Sequence, residues 1–228
     1  MFDKDGTLID FRKTWTPAYL GVAHELAGAM GGGPDLAADL LRAVGYDPVT
    51  DHFEGDSPLL WDTNPGIARS WSLRANLSPD LRVLERIERH FNDHDRYPPR
   101  PVGDLDALMT SLRARGLILG LATMDNHAAA LNTLQLLGIG HHMDFVTGSD
   151  SGHGTKPEPG MVEAFAAASG IPASQMLLVG DTPADLVMAR NAGCALAVAV
   201  RTGATPEHLL QAHADHVLDT IHELDSLL

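Results

Sequence analysis

Asp3 and Asp5 stand two residues apart near the start of the chain, in Asp3-Lys4-Asp5-Gly6-Thr7. In extended backbone such residues point to the same side, so the two carboxylates can converge on one ligand. Gly6 lets the chain turn sharply just after them. Neighbouring carboxylates repel, which tends to raise the pKa of one. That suits a division of labour, with one carboxylate an ionised nucleophile and the other a protonated general acid. A solvated acidic turn is the competing reading. Three more segments carry related groups. Thr123 follows an apolar run, and its hydroxyl can donate to a phosphoryl oxygen or cap the next helix. Lys156, in Lys156-Pro157-Glu158-Pro159, follows the flexible Gly152-His153-Gly154. A fixed ammonium there can neutralise phosphate charge, although a lone loop lysine is ordinarily just exposed. Asp181 and Asp185 lie in Gly180-Asp181-Thr182-Pro183-Ala184-Asp185. Hard divalent cations want oxygen ligands, and Mg2+ usually takes only one or two carboxylates from a protein. Asp181 fits as such a ligand. Asp185, one helical turn on, can reach the metal shell, hold Lys156, or simply favour the helix start.

The elements that must position these groups are legible in the second half of the chain. Leu105, Leu108, Met109 and Leu112 fall at helical spacing before Gly116. The run Leu117–Ala122 reads as a buried strand. Further helices are expected over Ala128–Leu137, Pro159–Ser169 and Pro183–Ala192, the last with Thr182 as N-cap. Strands are expected at Phe145-Val146, Met176–Val179 and Ala195–Val200. Strands alternating with helices imply a parallel sheet in an α/β fold. Thr123 and Asp181 then lie at the carboxyl ends of strands, where ligands sit in open α/β sheets. Residues 12–97 instead read as helical, with segments near Pro17–Met30, Asp35–Val44, Pro65–Leu77 and Pro79–His94, and with no obvious buried strand. They hold all three tryptophans, Trp15, Trp61 and Trp71, which are expected to form that segment's core.

Composition narrows the partners. Acidic residues outnumber basic ones 30 to 16, which argues against a nucleic-acid backbone and against a basic membrane-surface helix. No apolar run approaches the ~18 residues of a membrane span. The first ten residues hold three aspartates and do not read as a signal peptide. A single cysteine, Cys194, suits a reducing, cytoplasmic setting.

Asp-x-Asp-Gly-Thr, a strand-terminal Thr, Lys-Pro-x-Pro and Gly-Asp-x-x-x-Asp occur in that order. The conjunction resembles the haloacid dehalogenase-like (HAD) hydrolase superfamily, and within it the phosphoglycolate-phosphatase-like branch. The resemblance spans nearly the whole chain. It implies a Rossmann-like parallel-sheet core (three-layer α/β/α) at 1–11 and 98–228, with an inserted α-helical cap domain at 12–97 acting as a mobile lid. It implies Asp3 as nucleophile, Asp5 as general acid and base, and Thr123 and Lys156 as phosphate ligands. Mg2+ would be held by Asp3, the backbone carbonyl of Asp5 and Asp181, with Asp185 supporting the metal site. The implied substrate is a small phosphorylated metabolite, and monomer and homodimer remain equally open. Arg12, Lys13, Trp15, Arg69 and Arg74 are candidates for contacts to the leaving group. Asp5 disfavours a dehalogenase. Thr7 favours phosphatases over sugar phosphomutases, the alternative enzyme. A non-catalytic phospho-ligand-binding protein is the alternative outside enzymes.

Two features depart from the family pattern. Only Met1 and Phe2 precede Asp3, so the first strand is expected to pair poorly, and a longer natural N-terminus is expected. Met124 stands where relatives often carry Asn, leaving Asp125 or Asn126 to make that contact. The twelve histidines, among them His141, His142, His153, His208, His213, His216 and His222, are expected to be surface or loop residues without a partner acid.

Overall fold

Met1, Phe2 and Asp3 run as extended backbone between two much later strands of a parallel sheet. The computed structural model describes all 228 residues. They fall into two compact units, Met1–Phe11 with Pro99–Leu228, and Arg12–Pro98.

The inserted unit is built on α1 (Phe11–Ala29), α2 (Pro34–Arg42), α3 (Asn64–Arg74) and α4 (Val83–Phe91). The local signals are conventional. Thr63 caps α3, its side chain accepting from Gly66 N at 3.3 Å, with Pro65 in the first turn. Along α4, Val83, Ile87 and Phe91 fall on one buried face. Trp71 is fully buried, Trp15 packs its ring 4.9 Å from Phe91, and Trp61 is 45% exposed. Core tryptophan is therefore an accurate description of Trp71 and wrong for Trp61. A short antiparallel hairpin also lies here, β1 (Tyr46–Asp47) against β2 (His52–Phe53), with the Tyr46 and Phe53 rings stacked at 4.3 Å. Two-residue strands leave no alternation to read.

The larger unit holds α5 (Leu105–Ala114), β3 (Gly120–Ala122), α6 (His127–Leu136), β4 (Phe145–Thr147), α7 (Gly160–Ser169), β5 (Leu177–Gly180), α8 (Pro183–Ala192), β6 (Leu196–Val200), α9 (Glu207–Gln211) and β7 (His216–Leu218). Its strands are parallel, in the order β4-β3, then the opening segment, then β5-β6-β7. Helices cross between the paired strands, as parallel connections require. The expected weak first strand is corrected here. Phe2 N donates to Gly120 O at 2.7 Å, and Phe2 O accepts from Ala122 N at 2.9 Å. On the other side Asp3 N donates to Val179 O at 2.8 Å, and Met1 O accepts from Val179 N at 3.0 Å. The Met1 amino group adds a bond to Leu177 O at 2.8 Å. A central strand gains partners on both edges, so two residues suffice to fix it.

Strand alternation sorts the core onto two faces. Phe2, Leu121, Val179, Val198 and Val200 pack with Leu108, Met109 and Leu112 of α5. Met1, Ala122, Leu178, Ala197 and Ala199 pack with Val162 and Phe165 of α7 and Leu186 of α8. The architecture is α/β with three layers. Phe2 is almost completely buried at its centre. Phe2→Ala is expected to lower the unfolding free energy by about 3–5 kcal/mol, read from urea denaturation.

Most of the named histidines are exposed, as expected, but His142 is not. It is buried and its Nε2 lies 2.8 Å from Asp106 Oδ1. A partner acid 36 residues away in sequence cannot be seen in local spacing.

Candidate active site

The carboxyl edge of the sheet gathers most of the residues singled out above. Asp3 leaves the central strand between β3 and β5, Thr123 follows β3, and Asp181 follows β5. All three are buried, as is Lys156 from the loop before α7. Lys156 Nζ pairs with Asp3 Oδ1 and, at 2.6 Å, with Asp185 Oδ1. The other Asp185 oxygen accepts from Thr182 N at 3.1 Å and Thr182 Oγ1 at 2.6 Å, completing the capping box of α8. Asp185 thus both starts its helix and holds Lys156.

Asp3, Asp181 and Asp185 each bring a carboxylate oxygen within 4.8 Å of the others. Asp181 Oδ1 is buried without a hydrogen-bond partner. Backbone closes around this side chain. A Cβ on Gly6, whose φ is +81°, would lie 2.2 Å from Asp181 Oδ2, and a Cβ on Gly203 would lie 1.9 Å from it. Only glycine fits at either position. Thr202 Oγ1 donates to Gly6 O at 2.6 Å and ties the two walls together.

Burial pushes the Asp3 carboxyl up to about 7; Lys156 opposes the shift, and the Asp185 and Asp5 charges add to it. Asp181 is held well above the ordinary aspartate value by burial, then by Asp3 and Asp185. Burial alone would lower Lys156, but Asp185 and Asp3 outweigh it and keep the ammonium charged. One ammonium thus faces three buried carboxylates. An excess of negative charge, an orphaned carboxylate oxygen and an all-oxygen donor set fit a hard divalent cation.

Asp5 is placed differently. Its side chain is half-buried and Oδ2 lies 3.2 Å from Lys4 Nζ, outside the three-carboxylate cluster. Lys4 is fully buried and also donates to Asp125 Oδ2 at 2.9 Å. Burial acts to lower Lys4, but Asp125 and Asp5 raise it above the ordinary lysine value. Sequence reasoning passed over Lys4, although a lysine between two aspartates was a visible signal. It also passed over Thr202, whose hydrogen bond to Gly6 O spans 196 residues. The Asp125 and Asn126 side chains are both already engaged within the larger unit. Asp125 binds Lys4, and Asn126 caps α6 by accepting from Ala129 N at 2.8 Å. Thr123 caps no helix; its Oγ1 accepts from Asp125 N at 3.1 Å. In the inserted unit Arg12 is held by Asp51 at 2.7 Å and lies over the Phe53 ring, while Arg74 faces Asp56 at 3.8 Å.

The family described as haloacid dehalogenase-like hydrolase matches residues 1–193. A phosphoglycolate phosphatase of Neisseria gonorrhoeae is 33% identical over 194 residues, covering 80% of each chain. One from Rhodospirillum rubrum is 33% identical over 210 residues, covering 87% of this chain and 77% of that one. Among solved structures, a putative phosphoglycolate phosphatase from Lactobacillus delbrueckii shares the fold with a TM-score of 0.74 at 22% identity, covering 99% of this chain and 95% of that one. A putative beta-phosphoglucomutase from Thermotoga maritima shares it at 0.70 and 18% identity, covering 99% and 95%.

Proposed function

This chain belongs to the haloacid dehalogenase-like hydrolases, and on that premise we propose that it is a Mg2+-dependent phosphatase acting on a small phosphomonoester through an aspartyl-phosphate intermediate. The family and its relatives make it a phosphatase enzyme. The observation that carries the finer reading is the Lys156–Asp3–Asp185 group beside the orphaned Asp181 oxygen. Phosphoglycolate is the first substrate to try, since several relatives carry that specificity in their names. A reducing cytoplasm suits the single cysteine.

In this reading Asp3 attacks phosphorus. The bond from its carboxylate oxygen to phosphorus forms as the bond to the leaving oxygen breaks. Asp5 gives that oxygen its proton. Asp5 then takes a proton from water as the water oxygen attacks the phosphoryl group, releasing phosphate and restoring Asp3. Lys4 holds the Asp5 carboxylate in one orientation throughout. Lys156 and the Thr123 hydroxyl bind the transferring oxygens. Asp185 keeps Lys156 aimed at Asp3. Mg2+, held by Asp3, the Asp5 carbonyl oxygen and Asp181, would supply the charge that lets a dianion approach a carboxylate nucleophile.

The test is phosphate release from a panel of phosphorylated metabolites and a generic aryl phosphate. Turnover is expected with Mg2+ and should vanish with EDTA, returning when excess Mg2+ is added. Undiminished turnover in EDTA would overturn the metal requirement. Isomer formation without phosphate release would indicate a mutase, and tight phosphate-analogue binding without turnover a binding protein.

A further inference from the structure

Outside the acidic cluster, three donor atoms converge on the larger unit. Asp106 Oδ1, His141 Nε2 and His142 Nε2 lie within 4.8 Å of one another. His142 Nε2 is 2.8 Å and His141 Nε2 is 3.8 Å from the same carboxylate oxygen. The imidazole centroids are 3.9 Å apart, with the rings tilted by 39°.

Local structure accounts for the placement. Asp104 already caps α5, accepting from Ala107 N at 3.0 Å, so Asp106 is left unused by the cap. Fully buried Ile139 anchors the short helical turn Gly140–His142, and His142 N donates to Ile139 O at 3.1 Å. The His142 side chain is 10% exposed and is held by its surroundings, whereas His141 at 66% and Asp106 at 65% face solvent. One donor is fixed, and two can close on an incoming ion. The only basic side chains paired with Asp106 are these two imidazoles. Two imidazole nitrogens and one carboxylate oxygen gathered at one point form most of a ligand set for a borderline metal.

We propose that Asp106, His141 and His142 form a second metal site, for a late first-row divalent cation such as Zn2+ or Cu2+, with three protein ligands and a coordination position open to solvent. Its donors differ in kind from those of the active site. Two imidazole nitrogens and one carboxylate suit Zn2+ and Cu2+, while an all-carboxylate cluster suits Mg2+. The inference does not depend on the phosphatase reading.

The test uses the full chain, stripped with EDTA, dialysed, and supplied with excess Mg2+ to occupy the oxygen cluster. Cu2+ is then titrated and followed by electron paramagnetic resonance. The first equivalent is expected to show nitrogen superhyperfine structure from two imidazoles and to be displaced by Zn2+. His141→Ala and Asp106→Asn should each weaken it by at least about tenfold. Both positions are exposed, so the variants should keep the wild-type urea unfolding curve, and His141→Gln provides a second substitution should Ala perturb the turn. A first equivalent bound through oxygen alone would overturn the proposal, as would unchanged affinity in these variants.

Discussion

Asp3→Asn should abolish phosphate release, lowering kcat by on the order of 10^4-fold or more, while the protein stays folded. The carboxylate oxygen that forms the new bond is gone, and an amide cannot replace it. Retention of the fold follows from the electrostatics. Asp3 is buried among Asp181, Asp185 and Lys156, and its pKa is pushed from 3.8 to about 7. An unfolded aspartate releases its proton near 3.8. Between there and about 7 the folded chain therefore binds the extra proton. This contribution is present in full below 3.8 and is lost as the pH rises through 7. Asn removes the penalty. In EDTA, the urea midpoint of the wild type should fall between pH 4 and pH 8 by more than that of Asp3→Asn. Equal turnover in the two proteins would refute the nucleophile, and parallel midpoints would refute the electrostatic account.

Lys156→Met should act on both activity and stability. Its ammonium is the only positive charge in contact with Asp3 and Asp185. Removing it leaves two buried carboxylates unpaired, a change that typically destabilises by about 3–5 kcal/mol. Loss of one charged contact to the transferring oxygens typically costs roughly 10^2–10^3-fold in kcat. Lys156→Arg should restore little of either. Two close contacts in a buried slot fit a compact ammonium, and a planar guanidinium presents a different geometry. The destabilisation should shrink as the pH is lowered through about 7 and Asp3 takes up its proton. Urea denaturation at pH 5 and pH 8, with kcat and KM measured separately, checks this. A loss confined to KM would place Lys156 in substrate binding alone.

Much of this site is legible in the sequence because strand-end positions are legible. The apolar runs before Thr123 and Asp181 mark buried parallel strands, and the residue after such a strand faces the ligand edge. Lys156 and Asp185 become readable once their order along the chain is taken together. What stays hidden depends on contacts between distant segments. Lys4 meets Asp125 across 121 residues, and Thr202 reaches Gly6 across 196. The glycine walls around Asp181 come from two separate loops. The first strand was misjudged because its length was weighed without its neighbours. The second cluster of donors was missed because the acid that completes it lies on another helix.

The position of that first strand has a consequence for how the protein is made. Met1 forms its bond to a residue 176 positions later. At ribosomal rates of 5–20 residues per second, that interval is roughly 9–35 s. Throughout it, the segment bearing Asp3 waits without the β5 edge it will pair with. The insertion, contained within Arg12–Pro98, can complete its own contacts well before then. Asp3, whose N–H donates to Val179 O, is set in its final place only once β5 has been made. Slow codons or stalling before β5 would prolong exposure of Phe2 and its neighbours, and long-range parallel pairing of this kind is intrinsically slow and prone to aggregation.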